Sequence, residues 1–213
     1  MVTVEEARAD YRPRRITTLF VAESAPVGGT FFYHGTGHLG RYLRRSIEEI
    51  LAGDGDFLKR FESYGWYLDD LVLAPVNQLT PRERKAAHLR ASQDLQRRVA
   101  EFRPLAIVCL LKSIGPIVRA AASSAGFDGP FYEVPFPGNG QQRRFHLQMI
   151  DIIPELRESP FRNQATRREV RADHVAKAIT TSDRSHNLTP FPLGVVTGDA
   201  LSGGVSMDRR RGA

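Results

Sequence analysis

An apolar run that ends in an acid, Leu19-Phe20-Val21-Ala22-Glu23-Ser24-Ala25-Pro26, holds the residues of this chain best placed to do chemistry. In open parallel sheets, ligands bind beyond the carboxyl ends of the strands. Glu23, one step past a buried strand, is therefore a candidate site carboxylate, with Ser24 beside it. The plainer alternative is that Glu23 caps a helix or pairs with an arginine. Two more acids, Asp69 and Asp70, fall inside a second apolar segment, Trp66-Tyr-Leu-Asp-Asp-Leu-Val-Leu73, where carboxylates are unfavourable unless satisfied or functional. Strand alternation puts them on opposite faces, so one at most joins Glu23. Asp70, leading into Leu-Val-Leu-Ala-Pro75, is the better candidate. Two carboxylates in a partly dry pocket repel and raise one pKa, so that one acid could donate a proton while the other accepts.

Phe31, Phe32 and Tyr33 follow Glu23 in the same loop. They are either core rings or, beside an acid and several glycines, rings that stack on a planar base. His34 and His38 have a spacing that chelates metal on a helix, but Gly-Thr-Gly lies between them and no third ligand is evident, so no metal site is expected. Gly35-Thr-Gly-His-Leu-Gly40 matches the dinucleotide fingerprint in letters only. A dozen residues separate it from the first strand, and no acid ends the second strand at the right distance. No cofactor is expected. Pro135-Phe-Pro-Gly-Asn-Gly-Gln-Gln-Arg-Arg144 is the remaining rich segment. Gly138 and Gly140 allow close backbone approach, and a helix N-terminus with Arg143 and Arg144 attracts phosphate. A plain turn before a basic helix accounts for it equally well.

The elements that must carry these residues alternate. Apolar runs at 16–22, 66–73, 105–111 and 131–134 read as strands, the third apolar on both faces and hence central. Between them lie helical stripes: one over residues 38–52, a long polar helix opening at Pro81, and one carrying Ile114, Ile117, Val118, Ala121 and Ala122. A last amphipathic helix carries Phe145, Met149, Ile152, Ile153 and Leu156, and the first dozen residues read as a frayed or short helical arm. Such alternation predicts a parallel sheet with helices on both faces. From about Ser159 the pattern fades, dividing the chain into an α/β domain over 1–158 and a loosely ordered basic tail over 159–213.

At 213 residues the chain can bury a substantial core. Its net charge of +6 makes a polyanion a plausible partner. The single cysteine, Cys109, excludes an intramolecular disulfide and a cysteine-ligated cluster. There is no apolar run long enough to span a membrane and no signal-peptide pattern at the start, so a cytoplasmic monomer is expected.

Taken in order, five segments resemble the uracil-DNA glycosylase superfamily over about residues 14–156. Ala22-Glu23-Ser24-Ala25-Pro26 resembles the first motif of the branch that reads Gly-Glu-Ala-Pro-Gly, and Phe32-Tyr-His-Gly-Thr-Gly37 the segment whose Phe stacks on uracil. Trp66 to Pro75 is similar to the second-strand segment, with Asp70 where the family commonly has Asn. Arg103-Pro104-Leu-Ala-Ile-Val108 resembles the approach to the third strand, and Val134-Pro135-Phe136-Pro137-Gly138-Asn139 falls where the family has His-Pro-Ser. Val134 stands in place of that His, Phe136 in place of Ser, and the four cluster-binding cysteines of that branch are absent. The resemblance implies a three-layer α/β/α sandwich with a four-stranded parallel sheet in the order 2-1-3-4, in a divergent subfamily. It implies that Glu23 positions water or offsets oxocarbenium charge, Phe32 stacks on the base and Asp70 reads its edge. Residues 138–144, with Asn139 among them, would hold phosphates. The expected activity is hydrolysis of the N-glycosidic bond of a damaged or deaminated base. The expected partner is DNA or a nucleotide-like small molecule, and the alternative is a non-catalytic binder that kept the fold.

Overall fold

The computed structural model describes residues 3–157, so the expectation for a tail over 159–213 lies outside the described residues. Four short strands form one sheet: β1 (Thr18–Ala22), β2 (Trp66–Asp70), β3 (Ala106–Cys109) and β4 (Phe131–Glu133). All pair in parallel, in the order β2-β1-β3-β4. This is the expected sheet, with shorter strands. The second strand stops at Asp70 rather than continuing to Leu73. The paired register ends at Ala22 and Asp70, and the chain bends there, although the Leu71 and Val72 N–H groups still donate to the Ala22 and Glu23 carbonyls.

The helices are α1 (Val4–Asp10), α2 (Gly37–Ile50), α3 (Phe57–Ser63), α4 (Pro81–Phe102), α5 (Gly115–Ser124) and α6 over residues 142–157. Their ends are written locally. Thr3 with Glu6, and Thr80 with Glu83, form capping boxes that satisfy the first free N–H groups of α1 and α4, and Pro81 opens α4. Gly65, at φ +73°, turns the chain into β2, and an added Cβ would lie 2.9 Å from the Thr17 side chain. Only glycine fits there.

Alternation along the strands sorts the layers. Phe20 and Trp66 meet Phe61 of α3, and Arg60 of α3 reaches Glu48 of α2. His146 of α6 meets Ser46 of α2, so α2, α3 and α6 cover one face. Tyr67 and Asp69, between Trp66 and Asp70, meet Phe102 and Arg98 of α4, which packs with α5 on the other face. The core lies between, with Leu19, Phe20, Leu68, Ile107, Phe145 and Met149 essentially inaccessible. The sequence did not announce α3. The opening arm is ordered as α1, and its Arg8 is buried.

Candidate functional site

The first connection, β1 to β2, runs over one face, and the next two run over the other. The chain therefore reverses direction between β1 and β3, which leaves a crevice at the carboxyl ends of those strands. A cavity of about 650 Å³ opens there. It is walled by residues 22–26 after β1, by Leu68, Asp70 and Asn77 of β2 and its loop, and by 110–113 after β3. The start of α2 and the loop from β4 to α6 close it. The volume suits a small ligand.

Two loops are stapled to make the rim. The Val76 N–H donates to Ser24 Oγ at 3.3 Å, and the Val27 N–H to Asn77 Oδ1 at 3.1 Å. Glu23 stands just inside. Its Oε1 accepts from Arg84 Nε at 2.5 Å and from His88 Nε2 at 2.8 Å, and its Oε2 accepts from Arg84 Nη2. A carboxylate paired with an arginine only accepts, so His88 carries its proton on Nε2. Glu23 is thus held in a fixed orientation by two donors, able to attract developing positive charge or orient a water.

Asp70 also lines the cavity, but its carboxylate belongs to a second cluster. Arg8, reaching round the edge strand β2, donates to Asp70 Oδ2, and its Nε lies 4.0 Å from Asp69 Oδ1. Arg98 of α4 takes Asp69 Oδ2. Burial pushes the Asp70 carboxyl up to about 7, opposed by Arg8 and reinforced by Asp69. The carboxylate that acts on Asp70 is therefore Asp69, not Glu23. The expected proton-sharing pair of Glu23 and Asp70 is corrected accordingly: each acid is engaged by its own arginine.

Of the other expected site residues, Ser24, Phe32, Pro135, Gly138, Asn139 and Arg144 line the cavity. Phe32 is 5 % exposed and packed edge-on against Phe57 and Tyr33. Phe31 lines the same wall, with the Arg8 guanidinium 5.2 Å from its ring centre. Tyr33, Gly140 and Arg143 do not line it. Tyr33 is buried behind the wall, where its hydroxyl accepts from the Leu68 N–H at 2.7 Å and donates to the Leu68 carbonyl at 3.1 Å. It closes the free edge of β2, and burial raises its pKa well above the ordinary tyrosine value. Gly140, at φ +78°, turns the chain into α6, whose next residues point Arg144 to the cavity and leave Arg143 exposed outside it.

Arg8, Arg84, His88 and Lys112 were not read as site residues. Arg84 and His88 are four apart on a helix whose start is marked by Pro81, so a shared face was legible, though not its target. Nothing local marks Arg8. Among the described residues Lys112 and Arg144 have no carboxylate partner, so the cavity carries unbalanced positive charge on its β3–β4 side. No described group of three His, Cys, Asp or Glu could hold a metal ion, and no described helix is long and apolar enough to cross a membrane.

No protein-family model matches this chain, and no curated protein matches it.

Proposed function

We propose that the cavity receives a nucleobase and that the protein is a divergent uracil-DNA-glycosylase-like hydrolase acting on a modified base in DNA. The observation that carries this reading is Glu23: an oriented carboxylate just inside a cavity of about 650 Å³, roomy enough for a base with its sugar, at the reversal of a parallel sheet. In N-glycosidic hydrolysis the C1′–N bond breaks, and its electron pair leaves with the base. Glu23 would offset the sugar's oxocarbenium charge and orient the water whose oxygen bonds to C1′ and whose released proton passes, through solvent, to the nitrogen of the departed base. Phe31 and Phe32 supply the apolar wall for the ring, and Lys112 and Arg144 the charge for flanking phosphates. Extruding the base from a duplex costs a few kcal/mol, least for a damaged or mismatched one.

The test is a panel of duplexes each carrying one deaminated or alkylated base, treated with alkali after incubation. Strand scission with the wild type and none with Glu23→Gln is expected. Scission that Glu23→Gln leaves unchanged, or none on any substrate, removes the hydrolase reading.

One observation favours binding without turnover. Val134 is fully buried, and its N–H extends the sheet to the Cys109 carbonyl. No imidazole can reach the departing base from that position. In that reading the same duplexes shift in a gel but yield no abasic sites.

A further inference from the structure

From Leu68 to Val72, the backbone donors of the wall that do not serve the β1 ladder are each taken. The N–H of Leu68 goes to the Tyr33 hydroxyl and that of Asp70 to Asp69 Oδ1. The N–H groups of Leu71 and Val72 go to the carbonyls of Ala22 and Glu23. Its carbonyls are also engaged: Leu68 by Tyr33, and Asp70 and Leu71 by Arg98. On β2 itself, among the described residues, the polar capacity left is on the Asp70 carboxylate; Asn77, in the loop beyond, spends its Oδ1 on the Val27 N–H at the rim. Arg8 takes Oδ2, while Oδ1 accepts from no described residue and is not among the buried polar atoms sealed off without a partner. Leu68 and Asp70 both line the cavity and share a face of β2, so this oxygen is what the wall presents.

Arg8 works from behind. It is 4 % exposed, does not line the cavity, and holds both the Asp70 carboxylate and the Phe31 ring of the same wall. We propose that Arg8 and Asp70 make the cavity selective for a base whose buried edge carries an amino donor, as in cytosine, adenine and their alkylated forms. Bases with a carbonyl there, such as uracil and hypoxanthine, are disfavoured. Asp70 reads the edge and Arg8 is its positioning residue. The inference rests on the base-binding reading and narrows its substrate from deaminated to amino-bearing bases.

The physical reason is asymmetry. An amino group facing Oδ1 donates to a charged acceptor. A carbonyl facing it sets two desolvated acceptors against each other with no proton between them. Asp70 is faced by Arg8 from α1, by Asp69 from its own strand and by Arg98 from α4. Its carboxyl is pushed up to about 7, so a protonated Asp70 at lower pH can donate to a carbonyl and selectivity should fade there.

The experiment measures binding of the full chain to two nucleotide pairs that differ in amino against oxo. These are the monophosphates of deoxycytidine and deoxyuridine, and of deoxyadenosine and deoxyinosine. At about pH 8 the wild type should prefer the amino member of each pair by about tenfold, the discrimination of one good polar contact. Asp70→Asn, which can turn an amide N–H to the ligand, should bring the ratio to unity or reverse it. Arg8→Lys, which keeps the charge but loses the planar fork, should reduce it. If either variant fails to fold, the wild type at about pH 6 should show the same loss of preference. Equal affinities for the two members at about pH 8, or a ratio that Asp70→Asn leaves unchanged, overturns the inference while base binding stands. Binding of none of the four overturns the base-binding reading and this inference with it.

Discussion

Two clusters of acids and arginines stand at neighbouring strand ends, and they differ in access to solvent. At the end of β1, the Glu23 side chain is 14 % exposed and its partner Arg84 41 %, with His88 between loop and helix. At the end of β2, Asp69, Asp70 and Arg8 are all below 5 % and are locked to Arg98. Similar chemistry gives two kinds of object. An ion pair open to solvent contributes little to stability and leaves its carboxylate accessible to a ligand. A sealed one is poised, because removing one partner strands the other charge in a dry interior. The contrast points to a division of labour: the β1 cluster offers the carboxylate that reacts, while in the β2 cluster Arg8, Asp69 and Arg98 brace the wall and leave Asp70 to set its polarity toward the ligand.

The sharpest way to break that contrast is Arg8→Met. Asp69 and Asp70 would keep only Arg98 between them, and chemical denaturation should show a loss of about 3–5 kcal/mol. A loss below about 1 kcal/mol would mean that the β2 cluster is no more structural than a surface pair.

Next comes pH. The native Asp70 carboxyl, pushed up to about 7, binds a proton that the unfolded chain has already released above its ordinary carboxylate range. Between about 4 and 7 the folded state therefore holds more protons, and stability should fall as pH rises through that window, levelling off above it. Asp70→Asn should remove this slope. A slope that persists in the variant would assign the titration elsewhere.

Tyr33→Phe tests the brace without touching charge. It leaves the Leu68 N–H and carbonyl unpaired at the β2 edge and should cost about 1–3 kcal/mol, with no change in ligand affinity because the hydroxyl lies outside the cavity. A stability change near zero together with lost binding would restore Tyr33 to the site.

Glu23→Gln should have the smallest effect on folding, under about 1 kcal/mol, while abolishing base release or altering base binding. Should it unfold the protein instead, Glu23 is a strut tying the β1 loop to α4. The two arginines at the start of α6 sharpen the picture further. Arg144→Ala should weaken oligonucleotide binding and flatten its salt dependence, whereas Arg143→Ala should do neither.

Much of the scaffold was legible because its signals are local. Leu19–Ala22 and Ile107–Cys109 are short runs bounded by turns, and Thr80-Pro81-Arg-Glu83 writes a helix start in four residues. Phe145, Met149, Ile153 and Leu156 repeat at helical spacing and are all buried. The acid after β1 was legible for the same reason, since the position beyond a strand is a property of the strand. Strand length was not, because Leu71-Val72-Leu73 is good strand sequence, and it leaves the sheet at a bend while Leu71 and Val72 still donate to the end of β1.

What each carboxylate does was a tertiary decision. Arg8 is 62 residues from Asp70, and Arg84 is 61 from Glu23. Neither partner has a local mark, because an ion pair across that distance forms only when two elements dock. The polar helix α4 shows many arginines to the sequence reader, and only its seat against the sheet chooses Arg84 for Glu23 and Arg98 for Asp69. The chain's own letters determined that an acid would follow β1 and that two would fall within the second strand segment. Burial and docking decided which acid faces the cavity already held by two donors, and which is braced from behind by a helix that the sequence presents as a short charged arm.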